Sequence, residues 1–349
     1  MAEPSGRPDA EIHTSARVWR AIDAGRMSGI EAFTSRTLSV RGSIEHALVF
    51  ETLFERPDGG GLRYYIDEIE TDRRKISVLV AGQPSSSPLL LLHGLGGTKA
   101  SWLRVLPSLA RSYRVIAVDF PGFGASSKPH ADYNAPFLAG AMFDLLDELG
   151  HEDAFIAGNS MGGRVAIEMA MLAPERVNAI ACLCPAAAFS SRPLLWFARM
   201  ARVELGIAAP LLPRRYIHSL MRQFFSDPGR IDEAWYDAAF DDFSRGWKSP
   251  AARVAFFSAA RNIYLDEGSG ESGFWTRLAS MEPPALFIYG VNDRIISPHF
   301  SHRVRAVLPR ARVEIWNDCG HVPQLEHPQR AARAMDRFFE SCINRQQVG

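Results

Sequence analysis

Cysteine is scarce in this chain. There are four in 349 residues, and Cys182, Cys184, Cys319 and Cys342 show none of the spacings of a metal-ligand set. So few thiols exclude a disulfide scaffold and fit a reducing, cytoplasmic setting. An excess of either charge is also missing: Lys plus Arg number 39 and Asp plus Glu 39, so the formal net charge is zero. A dominant nucleic-acid role is thereby excluded, because phosphate binding needs a basic surplus. Long apolar runs are lacking too. The best, Leu205 to Leu212, is short and broken by Pro210 and Pro213, so no transmembrane helix is expected. Met1-Ala2-Glu3-Pro4-Ser5-Gly6-Arg7 leads into no apolar stretch, and a secretory leader is not expected either. What remains is 47% hydrophobic and 22% charged, a globular composition, in a chain long enough to bury a large core.

Short apolar runs alternate with helical patterns through the middle and end of the chain, the signature of a parallel sheet covered by helices. Leu89 to Leu92 is an unbroken apolar run, as a strand buried on both faces requires. Further strands are predicted at Arg114 to Asp119, Ala154 to Ala157, Val177 to Leu183, Ala285 to Tyr289 and Arg312 to Trp316. A hairpin is expected over Tyr64 to Glu70 and Lys75 to Ala81. Helices are expected over Ala135 to Leu149, Met161 to Leu172, Ser301 to Val307 and Gln329 to Phe339. From about Pro185 to Met281 the strand rhythm stops and only helix-like stretches remain, which reads as a helical cap over the carboxyl edge of the sheet. The expected organisation is an N-terminal helical arm over 1–61, a core formed by 62–184 and 282–349, and a cap over 185–281.

Gly158-Asn159-Ser160-Met161-Gly162-Gly163 lies between a predicted buried strand and a predicted helix and fits G-x-S-x-G, in which a sharp turn lifts the serine off the sheet. The glycines answer a steric demand of so tight a turn. A serine hydroxyl is a weak nucleophile without a base, and the base needs an orienting carboxylate. Asp293 follows the strand ending at Tyr289, and His321 follows the strand ending at Trp316, so both emerge at the edge that carries Ser160. Asp318 and Glu326 are rival acids. His327 rivals His321 but precedes Pro328, which suits the opening of a final helix. After another buried strand comes His93-Gly94-Leu95-Gly96-Gly97, whose glycines let amides turn inward. The amides of Leu95 and Met161 are the candidate oxyanion hole, with Gly96 as the alternative to Leu95, and His93 is expected to be structural.

His93-Gly94, Asp119-Phe120-Pro121-Gly122-Phe123-Gly124-Ala125-Ser126, Gly158 to Gly163, the Asp293 turn and Gly320-His321 together resemble the α/β-hydrolase superfamily over about residues 62–345. The resemblance implies an α/β fold with a mostly parallel eight-stranded sheet, a cap after the sixth strand and a Ser160–Asp293–His321 triad. Relatives that open epoxides or remove halide carry aspartate at the nucleophile; serine here points to acyl transfer to water. Gly-Asn-Ser-Met-Gly-Gly is also frequent in the meta-cleavage-product hydrolases, which cut carbon–carbon bonds. This chain departs from them in lacking their longer glycine-and-proline loop after His93 and in carrying Val322 where they usually have tryptophan.

Two segments bear on the substrate. Pro185 to Arg222 holds Arg192, Arg199, Arg202, Arg214, Arg215 and Arg222 against the single acid Glu204, interleaved with bulky apolar residues. Such a mixture can dock on an anionic membrane surface, or it can be a cap helix with solvated arginines. Residues from about Ile12 to Phe54 are similar to the C-terminal part of a sterol-carrier-type lipid-binding domain, too short for a whole lipid tunnel; they read as a helix, a short helix, a strand and a further helix, with breaks at Gly25 and Gly42. A helical arm that packs on the core or on a partner subunit is the plain alternative. The expectation is a serine carboxylesterase or lipase that needs no metal or organic cofactor and takes a small-molecule or lipid ester. The alternatives are a carbon–carbon hydrolase, a thioesterase, or a non-catalytic ligand-binding homologue.

Overall fold

The computed structural model describes residues 10–24, 26–27, 29–42, 64–186, 213–264 and 268–346. Within them, eight strands form one sheet: β3 (Tyr64–Thr71), β4 (Arg74–Ala81), β5 (Pro88–Leu92), β6 (Arg114–Val118), β7 (Ala154–Asn159), β8 (Val177–Leu183), β9 (Ala285–Gly290) and β10 (Arg312–Trp316). Their spatial order is β10-β9-β8-β7-β5-β6-β4-β3. β10 through β6 run parallel, and the hairpin β3–β4 adds antiparallel to β6 at one edge.

The unbroken leucines of β5 follow from burial on both faces. Successive side chains leave a strand on opposite sides. Leu90 and Leu92 enter the layer shared with Leu138, Met142 and Val165 from the helices Ala135–Glu148 and Met161–Leu172. Leu89 and Leu91 enter the other, with Trp102, Tyr113 and Phe339 from the helix Pro328–Gln346. Each such leucine contributes about 1.5–3 kcal/mol by leaving water.

Parallel strands deliver their carboxyl ends to one edge, and the insertion between β8 and β9 covers that edge. Its described part holds the helices Arg214–Arg222, Glu233–Trp247, Pro250–Tyr264 and Phe274–Ala279. Arg192, Arg199, Arg202 and Glu204 lie outside the described residues. Of the cap's other arginines, Arg214 pairs with Asp237 at 2.8 Å and Arg222 with Glu233, and they lie over the rings of Phe240 and Tyr236.

The N-terminal arm holds the expected helix (Ala16–Asp23), short helix (Gly29–Thr34) and strand, β2 (Leu38–Gly42). It also holds a strand the sequence reading lacks, β1 (Ala10–Thr14), paired antiparallel with β2. The described part of the arm is therefore a pair of helices with a two-stranded ribbon. With five residues and Ile12 as its one large apolar side chain, β1 gives alternation too little length to register. The further helix expected after Gly42, and Gly25 itself, lie outside the described residues. Ile22, Ala32, Leu38 and Val40 form a small core of the arm's own. No helix among the described residues is long and apolar enough to cross a membrane, and all four cysteines are buried free thiols.

Candidate functional site

Ser160 sits at the end of β7 and caps the helix Met161–Leu172 with φ 53° and ψ −115°. A non-glycine residue held there costs on the order of 1–3 kcal/mol, which the surrounding structure must impose. It does so sterically. A Cβ on Gly158 would lie 2.2 Å from the Gly162 carbonyl oxygen, and one on Gly162 would lie 2.1 Å from that of Leu92. Hydrogen bonds complete the restraint: the Ser160 amide donates to Leu183 O at 3.0 Å, and the Ala186 amide donates to Ser160 O at 2.9 Å. The helix directs the positive end of its dipole at the serine.

His321 and Asp293 meet, with Nδ1 2.7 Å from Oδ2 and both side chains buried. The second carboxylate oxygen of Asp293 accepts from the amides of Ile295 and Ile296 at 2.7 and 2.9 Å, which fixes the carboxylate plane. The backbone of His321 is held in turn: its amide donates to Phe224 O of the cap at 2.7 Å, and its carbonyl accepts from Asn159 Nδ2 at 2.9 Å. Asn159, the residue preceding Ser160, therefore ties the histidine loop to the turn that carries the serine.

The rival groups lie elsewhere. Asp318 is exposed and paired with Arg230, which holds its carboxyl below the usual range. Glu326 is buried, but its two oxygens accept from the amides of Gly320 at 2.7 Å and Asp227 at 2.9 Å. His327 Nε2 lies 2.7 Å from Asp318 O and 2.8 Å from Arg230 Nη1. His93 is buried, with Nδ1 2.7 Å from Gly94 O and Nε2 accepting from the Phe120 amide at 3.1 Å. Both ring nitrogens are spent on the backbone, Nδ1 as donor and Nε2 as acceptor, so His93 holds the loop and is not placed to relay a proton.

Leu95 lies in a tight turn closed by the Gly97 amide on Gly94 O at 3.0 Å, with Gly96 at φ +73°. A Cβ on Gly94 would lie 3.3 Å from Ser160 Cβ, so this loop passes directly beside the serine. Asp119, from the second loop of the motif set, is buried and accepts from Lys99 Nζ at 2.7 Å and the Ala125 amide at 3.0 Å. It is a scaffold for the loops rather than a reacting group. Those loops and the cap line an open cavity of about 260 Å³, with Gly96, Gly97, Phe123, Phe243, Trp247 and Phe256 in its walls and Lys128 and Arg245 among its polar lining.

Sequence reasoning missed one residue. Tyr264, at the end of the cap helix Pro250–Tyr264, brings its hydroxyl to 3.3 Å from Ser160 Oγ. In this conformation that hydroxyl, not His321, is the hydrogen-bond partner of Ser160 among the described residues. Catalytic hydrogen bonds are often long before substrate arrives. A helical position in the cap, far from any motif, carries no sequence signal for such a role.

Two groups place three metal-capable atoms within 4.8 Å of one another: Cys184, Asp293 and His321, and Cys319, Glu326 and His327. Asp293 and His321 already satisfy each other, and Glu326 is spent on backbone amides.

A dihydrolipoyllysine-residue acetyltransferase component of an acetoin cleaving system from Cupriavidus necator is 30% identical over 238 residues; the alignment covers 68% of this chain but only 59% of that protein. A 2-hydroxymuconate semialdehyde hydrolase from Pseudomonas sp. strain CF600 is 31% identical over 267 residues, covering 72% of this chain and 86% of that one. Among solved structures, a membrane phospholipase A superposes with a TM-score of 0.69 at 27% identity, over 80% of this chain and 87% of that one. The family described as alpha/beta hydrolase fold matches residues 87–328, well over half of the chain. The chain belongs to the alpha/beta hydrolase fold family.

Proposed function

We propose that this hydrolase is a serine carboxylesterase or lipase, working through an acyl-serine. The observation that carries the reading is the pairing of His321 with Asp293 at 2.7 Å on the sheet edge where Ser160 is held in a strained turn. Ser160 Oγ attacks the ester carbonyl while its proton passes to His321 Nε2, and His321 returns that proton to the leaving alcohol. Asp293 holds the imidazole in the tautomer with hydrogen on Nδ1 and stabilises its cation. The amides of Leu95 and Met161 receive the oxyanion, each donor contributing about 3 kcal/mol. Water then hydrolyses the acyl-serine by the same steps in reverse.

The cavity beside Gly96 is the proposed acyl site, its apolar wall supplied by Phe243, Trp247 and Phe256. The lipid-carrier resemblance of residues 12–54 and the basic, apolar span 185–222 are the grounds for including acyl lipids among the esters and for peripheral contact with an anionic membrane. Buried, unbridged thiols accord with a cytoplasmic setting.

A second reading, hydrolysis of a carbon–carbon bond in a vinylogous diketone, draws on the 31% identity to the semialdehyde hydrolase. The short loop after His93 and Val322 beside His321 weigh against it.

Hydrolysis of p-nitrophenyl esters from acetate to palmitate, with Ser160→Ala alongside, tests the choice. Turnover that rises with chain length and vanishes in the variant is expected. A maximum at acetate would replace the lipid reading with a small-ester one. Turnover of a vinylogous diketone with no ester activity would establish the second reading instead.

A further inference from the structure

The cap contributes a group to the nucleophile itself. Tyr264 is buried, and its hydroxyl finds no hydrogen-bond partner among the described residues other than Ser160 Oγ. Either oxygen could donate geometrically, yet the two arrangements are not equivalent. If Ser160 donated, the phenolic hydrogen of Tyr264 would be buried without an acceptor, a loss of about 1–3 kcal/mol. If Tyr264 donates, its hydrogen is satisfied and the hydroxyl hydrogen of Ser160 stays available for His321.

The geometry points to Tyr264 as a cap-borne donor to Ser160 Oγ, which sets the rotamer of the nucleophile so that its own proton is directed to His321. This deepens the serine-hydrolase reading and rests on it. During attack the Oγ–H bond breaks, its proton goes to His321 Nε2, and the freed electron pair forms the bond to the carbonyl carbon. Tyr264 keeps its proton throughout. Burial, with a further contribution from the charge of Asp293, raises the phenol above its ordinary value despite the opposing bond to Ser160, so it stays a donor at neutral and moderately alkaline pH. Because Tyr264 stands on the helix Pro250–Tyr264, alignment of the nucleophile depends on the cap being seated.

A fluorophosphonate probe reports on Ser160 without filling an acyl pocket: an Oγ–P bond forms, the P–F bond breaks, fluoride leaves and the serine proton goes to His321. The full-length Tyr264→Phe protein, lacking one oxygen, is expected to label about tenfold more slowly than wild type, roughly 1.4 kcal/mol in the barrier. Its melting temperature and the pH midpoint of labelling should be unchanged. Should Phe disturb folding, Tyr264→Met fills the site without a donor and is expected to show the same loss. Labelling at an equal or faster rate in the folded variant would overturn the inference, faster labelling meaning that Tyr264 holds the serine back. A wild-type protein that labels but cleaves no ester would overturn the esterase reading and leave the Tyr264 comparison standing. A wild-type protein that does not label would overturn both.

Discussion

His93 shows how much of a hydrolytic site is spent on holding backbone rather than on chemistry. It sits beside the Leu95 turn, and with Nδ1 on Gly94 O and Nε2 on the Phe120 amide it must be neutral, because its Nε2 is an acceptor. Burial is the main cause lowering its pKa, with Lys99 acting the same way and Asp119 and the Gly94 bond opposing. The sign of the linkage follows. The unfolded chain takes up a proton at the ordinary value of 6.5, whereas the folded chain does not until lower pH, so the stabilisation is complete above 6.5 and is lost as pH falls below it. Urea unfolding from pH 7.5 to 5 should show stability falling by up to about 1.4 kcal/mol per pH unit from this one residue. His151, lowered chiefly by burial and by Arg114, acts in the same direction. The difference in slope between wild type and His93→Gln isolates the share of His93, and it should have the sign of proton uptake on unfolding and not exceed one proton.

The loop that follows β10 decides which acid and which histidine face the serine, and Glu326 fixes that loop. Its carboxylate joins the Gly320 amide, next to His321, to the Asp227 amide of the cap. A glutamine there must turn its NH₂ toward one of those two N–H groups and leave a buried donor unpaired, at a cost of about 1–3 kcal/mol. Glu326→Gln should lower the melting temperature and reduce kcat on p-nitrophenyl butyrate about tenfold, with KM changed less, as a shift of the histidine loop requires. That role was not legible beforehand. Asp293, Asp318 and Glu326 all lie just beyond β9 and β10, and only side-chain direction tells the partner of His321 from a surface ion pair and a backbone clamp. Strands buried on both faces were legible, because Leu89 to Leu92 and Ala154 to Ala157 have no polar face to confuse the pattern. So was the order of Ser160, Asp293 and His321, since parallel strands send the residue after each one to the same edge. Tyr264 was not, because a tyrosine in a helix packed on the core looks like any other buried aromatic.

At the scale of the molecule, the N-terminal ribbon and the cap form one packed body. β2 lies against the cap helix Glu233–Trp247. Ile30 of the arm belongs to the same buried cluster as Ala238 of that helix. Arg36 donates to Arg230 O and approaches Asp232 at 3.8 Å, where the helix is capped. The far end of the same helix supplies Phe243 and Trp247 to the cavity beside Gly96, where they stack on each other and meet Phe256 of the next helix. A disturbance of the arm is therefore expected to be felt in the shape of the cavity beside Gly96 before it is felt at Ser160, which β7 and the helix Met161–Leu172 hold from the core side. Arg36→Ala removes only an exposed anchor and should leave global stability within about 0.5 kcal/mol. Ile30→Ala opens a void under the cap helix and should cost about 2–5 kcal/mol if the site does not collapse. The second variant should raise KM for long-chain p-nitrophenyl esters more than for acetate, while fluorophosphonate labelling of Ser160 stays within twofold of wild type. Equal changes in KM at all chain lengths would mean that the arm stabilises the fold without shaping the cavity.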